Sequence, residues 1–188
     1  AMAVAAPLAR LWLQRHSRYR PLYDRFWLDP IPGPLHGIWF QACSLGEVNT
    51  ARPLVTAAAQ RWPDLPVMLS SSTVTGRRRA EEVVGPNRSR WFPFDDAASL
   101  RRFFDHAAPR LVALVETEIW PGFLAEADRR QIPVVVLNGR ISDRAFPRFR
   151  RYAPLFRPVF RRLTLVAAQN EGYAGRFIEL GVPEARIR

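Results

Sequence analysis

Short apolar runs alternate with stretches of helical spacing from residue 38 onward, and that alternation restricts the fold more than any other feature of this chain. The expected strands are 38–43, 66–71, 90–94, 110–116, 133–138 and 163–168. The expected helices lie near 47–62, 76–84, 96–106, 119–130, 142–150, 154–162 and 171–180, the last stopped by Gly181 and Pro183. Runs such as Leu111-Val112-Ala113-Leu114-Val115 and Val134-Val135-Val136-Leu137 lack the polar alternation of a half-solvated strand, so they suit strands covered on both faces. Buried strands separated by helices predict an α/β fold, a Rossmann-like doubly wound parallel sheet, over residues 35–188.

Residues 1–34 are expected to form a separate basic amphipathic segment and linker. Val4, Leu8, Leu11, Trp12, Tyr19, Leu22 and Phe26 fall loosely at helical spacing with arginines between them, and Asp29 to Pro34 ends any helix. Two readings are open for this segment: a helix lying in an anionic membrane interface, or one packed on the domain with a solvated arginine face. The 28 basic residues are all arginine and, against 17 acids, give a net charge of +11, which implies an anionic partner. Arginine presents a planar fork to phosphate or carboxylate that lysine cannot match.

Several chemistries are disfavoured. Cys43 is the one cysteine, so there is no internal disulfide framework, and its place late in a buried strand suits packing better than nucleophilic work. No Gly-x-Gly-x-x-Gly follows a strand, and no phosphate loop of the Gly-Lys-Ser/Thr type exists without lysine. His16, His36 and His106 are scattered, with no metal-binding spacing. No run approaches the roughly 20 apolar residues that span a bilayer.

Four turns carry polar chemistry where α/β sheets place ligands, beyond the carboxyl ends of strands. In Ser44-Leu45-Gly46-Glu47-Val48-Asn49-Thr50, Glu47 can be the acidic half of a capping box. Alternatively, Pro53 moves the regular helix start toward Thr50 and leaves Glu47 facing the crevice. The run Ser70 to Arg77, with Thr73, Thr75 and Gly76, offers hydroxyls and a helix N-terminus to an anion or a sugar, or simply caps the helix. Glu116-Thr117-Glu118-Ile119-Trp120-Pro121 delivers two carboxylates to the same edge as Glu47, as a base and its support or as an arginine partner and a cap. In Asn138-Gly139-Arg140-Ile141-Ser142, Arg140 is the candidate for a phosphate contact. The arginine and aromatic stretch after it, 144–162, suits a polyanion or a membrane, although most of its aromatics read as helix core faces.

Taken in order, Ser44-Leu45-Gly46-Glu47 with Asn49-Thr50, Thr73-Val74-Thr75-Gly76, Phe92-Pro93-Phe94-Asp95, Glu116-Thr117-Glu118-Ile119-Trp120-Pro121, Asn138-Gly139-Arg140-Ile141-Ser142 and Ala168-Gln169-Asn170-Glu171 resemble the N-terminal half of the Kdo (3-deoxy-D-manno-octulosonic acid) transferases. The resemblance implies the N-terminal, acceptor-binding domain of a GT-B glycosyltransferase, with the C-terminal donor-binding domain lying beyond this chain. It implies Glu47 as general base and Glu116 as supporting catalytic residue. Ser44, Gly46, Asn49, Thr50, Thr73, Thr75, Gly76, Glu118, Asn138, Arg140 and Gln169 fall at the substrate-binding positions. It further implies CMP-Kdo as donor, a phosphorylated lipid A precursor as acceptor, no metal or other cofactor, and no nucleic acid partner. The expected location is an anionic membrane surface, the cytoplasmic face of the bacterial inner membrane.

Overall fold

The computed structural model describes residues 34–188; the proposed amphipathic segment at 4–28 lies outside the described residues. Six parallel strands, β1 (Ile38–Gln41), β2 (Val67–Ser71), β3 (Ser89–Trp91), β4 (Leu111–Val115), β5 (Val134–Gly139) and β6 (Leu165–Ala168), form one sheet in the order β3-β2-β1-β4-β5-β6. Helices α1 (Leu45–Arg61), α2 (Val74–Val84), α3 (Ala97–Ala107), α4 (Pro121–Arg129), α5 (Phe146–Arg151), α6 (Ala153–Phe160) and α7 (Glu171–Glu179) connect or follow the strands. This is the expected doubly wound Rossmann-like sheet. The strand order reverses between β1 and β4, where the connections diverge and leave a crevice at the carboxyl edge.

The two-residue period of β1 sorts its side chains onto opposite faces. Ile38 and Phe40 pack with Val48, Ala51 and Val55 of α1 and with Leu69 of β2. Trp39 joins the other face, where Phe103 and Phe104 of α3, Phe123 of α4, Phe160 of α6 and Phe177 of α7 form the larger core. Most of the aromatics in the basic 144–162 stretch pack against this core, as their spacing predicts: Phe146, Phe149 and Phe156 lie partly buried at its margin and Phe160 is fully buried.

The late start that Pro53 suggests for the first helix is not the observed one. Helix α1 begins at Leu45, not near Thr50, and Pro53 lies inside it. Proline has no N–H to give the Asn49 carbonyl. Ser44 and Glu47 nevertheless nucleate the first turn through capping bonds, and Pro53 is exposed, so its ring faces solvent rather than a packed neighbour. Strand β4 stops at Val115 because Glu116 adopts a left-handed backbone, φ +66°. Among the described residues no helix is long and apolar enough to cross a membrane.

Candidate active site at the β1/β4 switch point

The turn after β1 holds Glu47 by both carboxylate oxygens. Its Oε2 accepts from the Cys43 backbone N–H at 2.7 Å, and its Oε1 accepts from the Ser44 hydroxyl at 3.1 Å. The Ser44 Oγ in turn accepts from the Glu47 N–H at 3.4 Å, closing the N-cap of α1. The cap and crevice readings of Glu47 are therefore compatible, since the acidic side chain caps one residue earlier than a standard capping box and still lies at the switch point. Its pKa is raised above the ordinary glutamate value, first by burial and then by the neighbouring charges of Glu118 and Glu116; the Cys43 and Ser44 hydrogen bonds oppose the rise.

The loop after β4 supplies those neighbours. Glu118 Oε2 accepts from Gln41 Nε2 at 3.2 Å and from the Trp120 indole at 3.0 Å. Glu116 Oε2 accepts from Arg140 Nε at 2.8 Å, with the Glu116 side chain 17% exposed and that of Arg140 51%. Glu116 and Asn138 both take left-handed backbone, at φ +66° and +54°. Such backbone in a glutamate costs on the order of 1 kcal/mol or more. It turns the chain sharply at the end of β4, while Asn138 bends β5 where its register with β6 shifts.

A residue from a distant loop anchors this arrangement. Asp95, the last residue of the Phe92-Pro93-Phe94-Asp95 motif, accepts from the backbone N–H groups of Gly122 at 3.0 Å and Phe123 at 2.6 Å. The local N-cap, Trp120, makes no side-chain capping bond, so Asp95 caps α4 in trans. A Cβ on residue 122 would lie 2.8 Å from Asp95 Oδ1, which requires glycine there. Asp95→Ala is expected to lower stability by about 1–2 kcal/mol, with Asp95→Asn costing less because one oxygen acceptor remains. Thermal unfolding of the two variants measures this; equal melting temperatures for Asp95→Ala and wild type would remove the cap from the account.

The remaining predicted positions divide into two groups. Ser44, Glu47, Glu116, Glu118 and, through Glu116, Arg140 are brought together at the carboxyl edge of β1, β4 and β5. Thr73 caps α2 by accepting from the Gly76 N–H at 3.1 Å. Gly76 is buried where a Cβ would lie 2.2 Å from Ser71 Oγ and 3.1 Å from the Ser44 carbonyl carbon, so it packs α2 against the Ser44 turn. Thr75 and Gly46 are exposed in the first turns of their helices, and the Thr50 hydroxyl donates to the Gly46 carbonyl. Asn49 accepts from Arg79 Nε at 2.9 Å, joining α1 to α2. Gln169 donates to the Asn138 carbonyl at 3.4 Å, joining the ends of β5 and β6. Gln41, Asp95 and Trp120 were given no site role from the sequence, although Asp95 and Trp120 stand in its motifs and a glutamine closing an apolar strand is a signal that could have found the first of them.

The Cys43 sulfur and one oxygen each of Glu47 and Glu118 lie within 4.8 Å of one another, the minimal donor set for a small cation. Both carboxylates already accept protein hydrogen bonds, and acid–base chemistry is what the arrangement supports directly. The carboxylates line an open edge. A groove of about 460 Å³, lined by Asp128, Arg161, Arg162 and Arg186, lies instead near Pro133 and Thr164, at the amino ends of β5 and β6.

Sheet order and a carboxylate cluster at the switch point define the class: a Rossmann-like domain of the GT-B type. Solved structures of UDP-N-acetylglucosamine 2-epimerases share this fold. One superposes with a TM-score of 0.56 at 11% identity over 82% of this chain and 45% of that one, and the Neisseria meningitidis enzyme with 0.55 at 12% over 80% and 45%. The chain belongs to the 3-deoxy-D-manno-octulosonic-acid transferase (Kdo transferase) family, whose sequence model matches residues 10–188. It is 32% identical to the 3-deoxy-D-manno-octulosonic acid transferase of Haemophilus influenzae, over 82% of this chain and 36% of that protein. It is also 32% identical to that of Bordetella pertussis, over 96% and 45%. The chain thus spans less than half the length of these relatives.

Proposed function

We propose that this chain is the acceptor-binding half of an inverting glycosyltransferase that moves Kdo from CMP-Kdo to a phosphorylated lipid A precursor in lipopolysaccharide biosynthesis. The observation that carries the reading is Glu47: a half-buried carboxylate of raised pKa, at the switch point, in a chain of this family. Its carboxylate takes the proton from an acceptor sugar hydroxyl as that oxygen attacks the anomeric carbon. The bond from that carbon to the CMP phosphate oxygen breaks on the opposite face, its electron pair leaves with CMP, and the configuration inverts. Raising the pKa of a buried glutamate brings its basicity closer to the working pH, which is what general-base catalysis needs.

The other residues have roles that follow from their places. Glu116 orients Arg140, whose half-exposed guanidinium meets a phosphate of the acceptor. Ser44 and Gly46 position the base, while Asn49, Thr50, Thr73, Thr75 and Gly76 form one rim and Glu118, Asn138 and Gln169 the other. The scheme uses proton transfer and electrostatics alone and calls for no metal or cofactor. The open edge is closed by the donor-binding half, which the relatives' greater length leaves room for. A net charge of +11 suits work at an anionic membrane, on the cytoplasmic face of the inner membrane.

The test is incubation of the full-length protein with CMP-Kdo and a phosphorylated lipid A precursor. The expected result is CMP release matched by a Kdo-bearing lipid in the mass spectrum. A folded full-length protein that leaves CMP-Kdo unconsumed with this acceptor would overturn the assignment.

A further inference from the structure

Gln41 is a polar residue at 0% exposure, closing a strand whose other residues are Ile38, Trp39 and Phe40. Burying an amide costs several kcal/mol unless its groups are paired. Here every step of the pairing has a defined sense. The Trp39 indole N–H, which can only donate, gives its hydrogen to Ser70 Oγ at 2.7 Å. Ser70 directs its own hydrogen to Gln41 Oε1. The Gln41 amide is thereby turned so that Nε2 donates outward, to Glu118 Oε2 at 3.2 Å and to Ser72 Oγ at 3.5 Å. Ser70 can also reach the Phe40 carbonyl, at 3.4 Å, so the sense of the chain is fixed at its other end: the Glu118 carboxylate accepts, which requires Nε2 to face it and leaves Oε1 to take the Ser70 hydrogen.

The relay ends at the group that stands beside Glu47. An oxygen of Glu118 lies within 4.8 Å of one of Glu47, and the Trp120 indole donates to the same Glu118 oxygen as Gln41. Among the described residues, the charges that act on Glu47 are Glu118 and Glu116, both from the β4 loop; Arg140, beyond β5, is paired to Glu116, and Cys43 is the other titratable group at the turn.

We propose that Gln41 is a positioning residue, which fixes Glu118 next to Glu47 through a one-way hydrogen-bond relay from the Trp39 indole. This rests on the reading of Glu47 as the base. Without the amide donor, Glu118 is held by Trp120 alone and moves off Glu47, whose charged form is then opposed less. Glu47 becomes a weaker base. For Gln41→Leu we expect kcat/KM at neutral pH to fall on the order of tenfold, a fraction of the ~10²–10⁴ that a general base supplies, and the acid limb of the pH profile to move to lower pH.

The experiment uses the full-length protein in four forms: wild type, Gln41→Leu, Glu118→Gln and the double variant. Glu47 is titrated by carbon-13 NMR of labelled glutamate carboxyls, with its signal identified by its loss in Glu47→Gln, and the pH profile of transfer is measured alongside. The expected result is a lower Glu47 midpoint in each single variant and no further shift in the double, because both changes break the same contact. A Glu47 midpoint unmoved in Gln41→Leu, or shifts that add in the double variant, would overturn the relay. Should Gln41→Leu fail to fold, Ser70→Ala takes its place, since it removes the hydroxyl that turns the Gln41 amide; a Glu47 midpoint unmoved there, or in Glu118→Gln, would overturn the relay. The carboxyl titration reads the relay even without transfer, so a shifted midpoint in an inactive wild type would fail the functional reading and keep the positioning role. Transfer with an unshifted midpoint does the reverse.

Discussion

Glu47→Gln in the full-length protein is expected to lower kcat for Kdo transfer by about 10²–10⁴-fold while leaving the fold intact. The glutamine can keep the bond from the Cys43 N–H through its carbonyl oxygen, and the backbone bond from residue 47 to Ser44 Oγ is untouched, so the α1 cap survives while the proton acceptor and the bond from the Ser44 hydroxyl are lost. In the wild-type enzyme the rate should fall in acid with a midpoint above the ordinary glutamate value, because burial and then the charges of Glu118 and Glu116 raise it. The same shift has a consequence for stability. A carboxyl whose folded pKa is raised contributes stability that is complete below its unfolded pKa and is lost as pH rises through the folded one. Glu47→Gln should therefore melt slightly higher than wild type near neutral pH, and the gain should vanish as pH falls below the ordinary glutamate value. Wild-type transfer by a folded Glu47→Gln would remove Glu47 as the base. A variant melting well below wild type at neutral pH would mean that the cap, and not the charge, dominates its contribution.

Trp39→Ala should be the most damaging single substitution in the core, costing about 3–5 kcal/mol. The side chain is fully buried, stacked on Phe103 at 4.5 Å between ring centroids, and in edge contact with Phe123 at 5.3 Å and Phe104 at 5.5 Å. Truncation would leave a cavity in the larger core, where α3, α4 and the sheet meet and none can close on it without disturbing the others. At about 2–4 °C per kcal/mol, the melting temperature should drop by about 6–20 °C. Trp39→Phe separates packing from hydrogen bonding. It keeps most of the aromatic volume and removes the indole donor to Ser70, so it should cost about 1–3 kcal/mol. Circular dichroism melts of the three proteins measure both effects, and equal losses in the two variants would show that the hydrogen bond outweighs the ring.

The chemistry of the strand ends has a common logic. Asp95 in trans, the left-handed Glu116 and the Gln41 relay all act on one short segment, 116–123, which holds two of the three clustered carboxylates. A backbone conformation that costs energy in a glutamate persists because its surroundings are over-determined by these bonds. Loops carry function when a rigid scaffold fixes them, and here the scaffold reaches the loop through a core tryptophan.

The sequence by itself determined the elements and their class. Continuous apolar runs at Leu111–Val115 and Val134–Leu137 required strands covered on both faces, and the helices between them required parallel connections. It also placed Glu47, Glu116, Glu118 and Arg140 at strand ends, because a strand is legible from its own residues and its end is where the apolar run stops. The start of α1 was less legible: Pro53 signals a late start through a local rule, whereas capping bonds from Ser44 and Glu47 prevail. Only the tertiary structure decided that β1 lies beside β4, and hence that Glu47 faces Glu118 and not a group at the end of β2 or β3. Strand order rests on pairings between distant segments, stabilised by burial that no window of sequence contains. For the same reason the roles of Gln41 and Asp95 were not legible in the sequence: a buried amide and a cap in trans have meaning only once their partners from other elements stand within hydrogen-bond distance.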